Sequence, residues 1–210
     1  MRIHLGGSSR QSLVIARGKL DAAVKGASGA TASELSSHLF FAAETFASNT
    51  SLRRAFTDAS RDDSSKVALV KDLFGSKISS SASDLLAAIA GLRWSAAGDL
   101  VTVIEQLAIE AEASAANVDG ELDRLEAEFF QVSRLIADNF ELRKALVGNG
   151  SVDAKSALIA DVLAKSASAS TVKLAVALVT SLRGRSIEAA FADYLFALAN
   201  RRNRLIALVR

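Results

Sequence analysis

Apolar positions recur every three or four residues along almost the whole chain, which is the period of a helix face and not of a strand. Leu13, Ala16, Leu20 and Ala23 predict a helix over residues 10–24. A Gly/Ala/Ser loop follows at 25–30. Thr31 or Ser33 is placed to cap a second helix with Leu35, Leu39, Ala42, Ala43 and Phe46 inward. Asn49 to Ser51 break that helix, and a short one follows at 52–56. A polar turn at 57–63 leads into a helix over 64–74, which Gly75 ends as a C-cap. Residues 84–94 read as an apolar helix.

The most regular stretch comes next. Leu100, Ile104, Leu107, Ala111, Ala115, Val118, Leu122, Leu125, Phe129, Val132 and Ile136 keep a near-heptad step. This reads as one very long helix over 95–138, or as two helices broken near 117–120, where Gly120 costs about 1 kcal/mol in a helix interior. The stripe faces a core or, failing that, forms a free-standing coiled coil. Further helices are predicted at 141–147, 152–163, 170–182 and 187–208, with a Gly/Asn turn at 148–150.

Three segments align with later ones at an offset of about 90 residues. Residues 51–56 (SLRRAF) match 141–146 (ELRKAL). The Lys-led segment 66–74 matches 155–163, and Leu92-Arg93 matches Leu182-Arg183. Ordered matches at a nearly constant offset indicate an internal repeat. The expected fold is therefore all-α, with two related helical bundles joined by a long central helix. The domain expectation is a flexible N-terminus at 1–9, a first bundle at 10–116 and a second at 117–210.

Composition supports helices and removes several chemistries. The 210 residues include no Pro and no Cys. The commonest helix breaker is thus missing, and Ala, the best helix former, is abundant. Disulfide scaffolds, Cys-ligated zinc and thiol nucleophiles are excluded. The formal net charge is +2, from 25 basic and 23 acidic residues. The mixed charges read as solvated helix faces. No uncharged run approaches the ~20 residues of a membrane span, and the start lacks a signal-peptide core. The chain reads as cytosolic, meeting a membrane only through a partner.

Candidate chemistry is sparse. His4 and His38 are the only histidines, with no metal-ligand spacing between them. His38 reads as a packing or surface residue. Asp62-Asp63 is a lone acidic pair without the ligand pattern of a calcium loop. Gly6-Gly7-Ser8-Ser9 lacks the strand and the Lys of a phosphate loop. Glu105, Glu110, Glu112, Glu126 and Glu128 read as surface carboxylates. An enzyme, a cofactor and a metal are not expected. The Leu-Arg corners do recur: Arg53 and Arg54, Arg143 and Lys144, Arg183 and Arg185, with Arg201, Arg202 and Arg204 on the last helix. They face an acidic partner or RNA, or they reach the C-terminal carbonyls of neighbouring helices.

The segments NTSLRRAFTD (49–58), the Lys-led helix 66–74, LRWSA (92–96), RGRSIEA (183–189) and RRNRLIALV (201–209) together resemble the delta subunit of F-type ATP synthase, the family of the mitochondrial oligomycin sensitivity-conferring protein. The likeness is to the long bacterial form with a duplicated helical region and runs from about Ser9 onward. Two departures stand out. The family's C-terminal αβ domain is expected to be absent here, or reduced to a strand at 205–210, as in a truncated chain. The family's turns also often carry Pro, where this chain has Asp58-Ala59 and Gly148-Asn149.

The resemblance implies a stator at the cytoplasmic face of the bacterial membrane. It would tie the catalytic alpha/beta head to the b subunit of the peripheral stalk, with no nucleic acid bound. It also implies an apolar groove between the first and fifth helices that receives the N-terminal helix of an alpha subunit. On this chain the groove residues would be Leu13, Ala16 and Leu20 facing Leu86, Ile89 and Ala90. The rival readings are a helical RNA-binding module like the NusB-type antitermination factor, and a generic helical scaffold.

Overall fold

The computed structural model describes residues 5–209, so His4 lies outside the described residues. Eleven α-helices and one 3-10 turn make up its regular structure, and no strand occurs among the described residues. The chain divides into two compact units after Ala115.

The first unit holds α1 (Gly7–Val24), α2 (Gly29–Ser48), α3 (Thr50–Thr57), α4 (Asp63–Phe74), α5 (Ser80–Ala90) and most of α6 (Ala97–Val118). Its core gathers Leu20, Leu39, Phe46, Phe56, Phe74, Leu86, Ile89 and Ile104, each at most 1 % exposed. Phe46 lies at the centre of an aromatic group, 4.8 Å from the Phe56 ring and 5.8 Å from that of Phe74. Burying one such side chain contributes roughly 1.5–3 kcal/mol.

Beyond α6 come α7 (Leu122–Asp138), α8 (Phe140–Val147), α9 (Val152–Leu163), α10 (Ala169–Thr180) and α11 (Ile187–Val209). Phe129 anchors this core, with the Phe191 ring at 5.2 Å and the Tyr194 ring stacked at 5.8 Å.

Helix starts follow side-chain chemistry. Ser28, Asn49, Asp62, Ser79, Asn139, Ser151 and Ser168 each accept a backbone N–H three residues on. The second helix is thus capped by Ser28, ahead of Thr31 and Ser33, because Ser28 is the residue still in extended conformation.

The 95–138 register is two helices broken near 117–120, one of the two readings open in the sequence, and three expectations are corrected. Gly120 has φ +74°, Glu121 N–H donates to Ala116 O at 2.7 Å, and the helix stops at Val118. The described part of the expected flexible start is ordered from Leu5. Gly6 lies against Ser95 so closely that a Cβ there would collide with the Ser95 side chain. Ser9, fully buried, accepts from Ser95 N–H at 2.8 Å, and Ser12 donates to Arg93 O at 2.6 Å. The described part of the expected terminal strand, 205–209, is the end of α11. The fifth helix begins at Ser80 and ends before Gly91, so Trp94 lies in the following loop.

Candidate functional site

Sequence periodicity brings α1 and α5 side by side. Leu20, Ala16, Leu86, Ile89 and Ala90 are each 0 % exposed, and Leu13 is partly buried against the same core. The six predicted groove residues are therefore its floor. Five of them are fully buried between α1, α5 and the core, and Leu13 keeps part of its side chain accessible.

The lining sits one step around each helix. Lys19, Ala22 and Ala23 of α1 and Ser81, Asp84, Leu85 and Ala88 of α5 enclose an open depression of about 260 Å³. Its shape follows from residue size: Ala22, Ala23 and Ala88 are too short to fill the furrow between two helix ridges. Lys19 and Asp84 put one charge of each sign at its edge. Ile15, 48 % exposed, lies one turn before Lys19 on the same face of α1 and extends the apolar strip. The stripe of inward residues was visible in the sequence. The lining was not, because Ala and Ser on a helix surface carry no periodic signal.

The helices behind the groove are tied by buried polar contacts. Arg17 of α1 donates from Nε and Nη2 to Glu110 Oε1 of α6 at 2.8 and 2.6 Å. Ser33 of α2 donates to Glu112 at 3.0 Å. Glu105, Glu110 and Glu112 are 3, 0 and 1 % exposed, which corrects their reading as surface carboxylates. α6 is buried on all faces from Leu100 to Ala116, Thr102 alone being partly exposed, so its carboxylates lie inside, Glu110 held through Oε1 by Arg17 and Glu112 by Ser33.

Glu128 of α7 is also committed. It accepts from Ser168 N–H and Thr171 Oγ1 at 2.7 Å each, and from Arg124 Nε at 2.7 Å. Burial raises its carboxyl, but the hydrogen bonds from Ser168 and Thr171 and that of Arg124 outweigh this and bring it down to about 2. Glu126 moves the other way, pushed up by burial against the pull of Arg202, whose Nη1 lies 2.6 Å from Oε2.

The basic corners are largely occupied by helix ends. Arg53 donates to Phe46 O and Ala47 O at 3.0 Å, closing the C-terminus of α2. Arg143 reaches Ala137 O at 3.5 Å and Glu188 at 3.7 Å, and its guanidinium lies 5.9 Å over the Phe140 ring. Arg185 donates to Leu182 O and Ser181 O at 3.1 and 3.2 Å and faces Asp193 at 3.5 Å. Arg183, with φ +49°, and Arg54 stand on the exterior. Arg201 is 1 % exposed.

A second depression, also about 260 Å³, lies between α7 and α11 and is lined by Ile136, Ala137, Ile187, Phe191, Ala192 and Leu195. Among the described residues no cluster of His, Asp and Glu could hold a metal ion, and no helix is long and apolar enough to cross a membrane.

No family model matches the chain. Curated relatives do. It is 38 % identical to the ATP synthase subunit delta of Streptomyces coelicolor, over 97 % of this chain and 74 % of that protein. It is 34 % identical to the subunit of the same name from Streptomyces griseus, covering 98 % and 76 %. With that of Kineococcus radiotolerans it shares 35 % identity over 97 % and 74 %.

Proposed function

Because the chain belongs to the delta-subunit family of F-type ATP synthase, we propose that its α1–α5 groove receives the amphipathic N-terminal helix of an alpha subunit. The protein is a peripheral-stalk subunit of a membrane-associated complex. A peripheral stalk resists rotation, so its contacts must carry load without supplying chemistry. In this reading the chain is non-catalytic. It links the alpha subunits to the b subunit at the cytoplasmic face of the membrane.

The observation that carries the reading is the apolar furrow lined by Ala22, Ala23, Leu85 and Ala88. A helix laid in such a furrow is held by anchors at three- and four-residue spacing, and Ile15, Ala22 and Ala88 offer accessible contact points. Lys19 and Asp84 at the rim would fix its direction. The Arg17–Glu110 contact fastens the α1 wall to α6, and Ser33–Glu112 fastens α2 to the same helix. A nanomolar contact of this kind corresponds to about −12 kcal/mol.

The chain has no cysteine, so Ala88→Cys introduces a single thiol into the groove. In the assembled complex it should form a disulfide with a cysteine placed in the alpha N-terminal helix. An intact complex that gives no cross-link from any turn of that helix would reject the groove.

A further inference from the structure

The first turn of α5, one wall of the groove, is held by a side chain from α2. Nδ1 of His38 accepts the Ser79 backbone N–H at 3.1 Å and lies 3.2 Å from Ser79 Oγ. Ser79 Oγ in turn accepts Ala82 N–H at 3.4 Å. The same arrangement recurs about 90 residues later, where Glu128 of α7 accepts the Ser168 N–H at the start of α10. The two latches occupy matching places but differ in kind. Glu128 acts as a carboxylate anion, whereas His38 acts through the lone pair of an imidazole nitrogen.

Nδ1 can accept only while it carries no proton. A protonated ring would lose the bond from Ser79 N–H, keeping as its one Ser79 contact a donation from Nδ1–H to Oγ. It would also place positive charge at a helix N-terminus, where the free N–H groups already carry partial positive charge. The charged residues on the surrounding elements are Glu34 and Glu44 on α2, Lys77 in the turn before Ser79, Asp84 on α5, Arg53 and Arg54 on α3, and Asp63, Lys66, Lys71 and Asp72 on α4. None of them ion-pairs with the ring, whose polar contacts are both to Ser79, so no direct ion pair takes up the added charge.

We propose that His38 is a proton-responsive latch on α5: acidification releases the start of that helix and loosens the α5 wall of the groove, while the Glu128 latch on α10 stays closed. Histidine is the side chain that changes charge near neutral pH. The consequence for partner binding rests on the groove reading above, but the latch itself does not.

Hydrogen exchange of the full chain tests it between about pH 7.5 and about pH 5, corrected for intrinsic exchange. Protection of Ser79 and the first turn of α5 should fall about tenfold or more on acidification, and that of the α10 first turn should hold. His38→Gln, whose amide oxygen accepts at every pH, should flatten the α5 response. Equal profiles for wild type and His38→Gln would overturn the latch, as would constant protection at Ser79 in wild type. A peptide of the alpha N-terminus is titrated in parallel. A responsive latch with no peptide binding at any pH removes the groove reading and leaves the latch standing.

Discussion

Arg17 grips one carboxylate oxygen of Glu110 with two N–H groups, at 2.8 and 2.6 Å, across the seam between α1 and α6. The Glu110 side chain is 1 % exposed and that of Arg17 19 %. Removing one partner of a buried pair costs far more than removing both, because a lone charge stays desolvated. Arg17→Met should therefore destabilise the chain by about 2–3 kcal/mol. Urea unfolding of both single variants and of Arg17→Met with Glu110→Met should give a double variant less destabilised than the two singles summed. Strict additivity would show that the pair is not coupled.

The depressed Glu128 carboxyl sets an acid limit. Its value is near 2 in the folded chain, against 4.5 for a free carboxyl. The folded state binds fewer protons at this site, so its contribution is full above the unfolded value. It is lost as pH falls from about 4.5 towards 2. Glu128→Ala should lower stability near neutral pH by about 1.5–3 kcal/mol. It should also flatten the stability profile in that acid window, as measured by thermal melts.

Arg53 and Arg54 are neighbours with different burdens. Arg53 closes two carbonyls at the end of α2, while Arg54 is exposed on α3. Arg53→Ala should cost about 1–2 kcal/mol, and Arg54→Ala within about 0.5 kcal/mol. Chemical denaturation of the two variants decides this. Equal losses would remove the helix-closing role.

Gly120 at φ +74° is where the long heptad register stops being one helix. Gly120→Ala should cost about 1 kcal/mol without altering helical content by circular dichroism. A stabilised variant would mean that the break is not set by this backbone conformation.

The all-α class and the inward stripes were legible because helix periodicity is a local signal: Leu35, Leu39 and Phe46 announce their face within three turns. The choice between one central helix and two was not legible, since the heptad step continues straight through Gly120 and only its positive φ ends the helix. The buried Glu110 and Glu112 were misread because burial of a carboxylate depends on Arg17 and Ser33, some eighty to ninety residues away. The groove was half legible. Its floor of Ala16, Leu20 and Ile89 follows from periodicity. Its lining depends on how two helices distant in sequence set their small residues against each other. His38 looked inert for the same reason, since its partner is Ser79 on another element.

The most direct test of the account is titration calorimetry of the full chain with a peptide of the alpha subunit's N-terminus. Wild type should bind one peptide with micromolar affinity or better, about −8 kcal/mol. Ala88→Asp, which puts a charge in the α1–α5 furrow without touching the core, should weaken binding at least about tenfold, or about 1.4 kcal/mol. Unchanged affinity in Ala88→Asp, with the loss appearing instead in Ala192→Asp of the α7–α11 depression, would contradict the account.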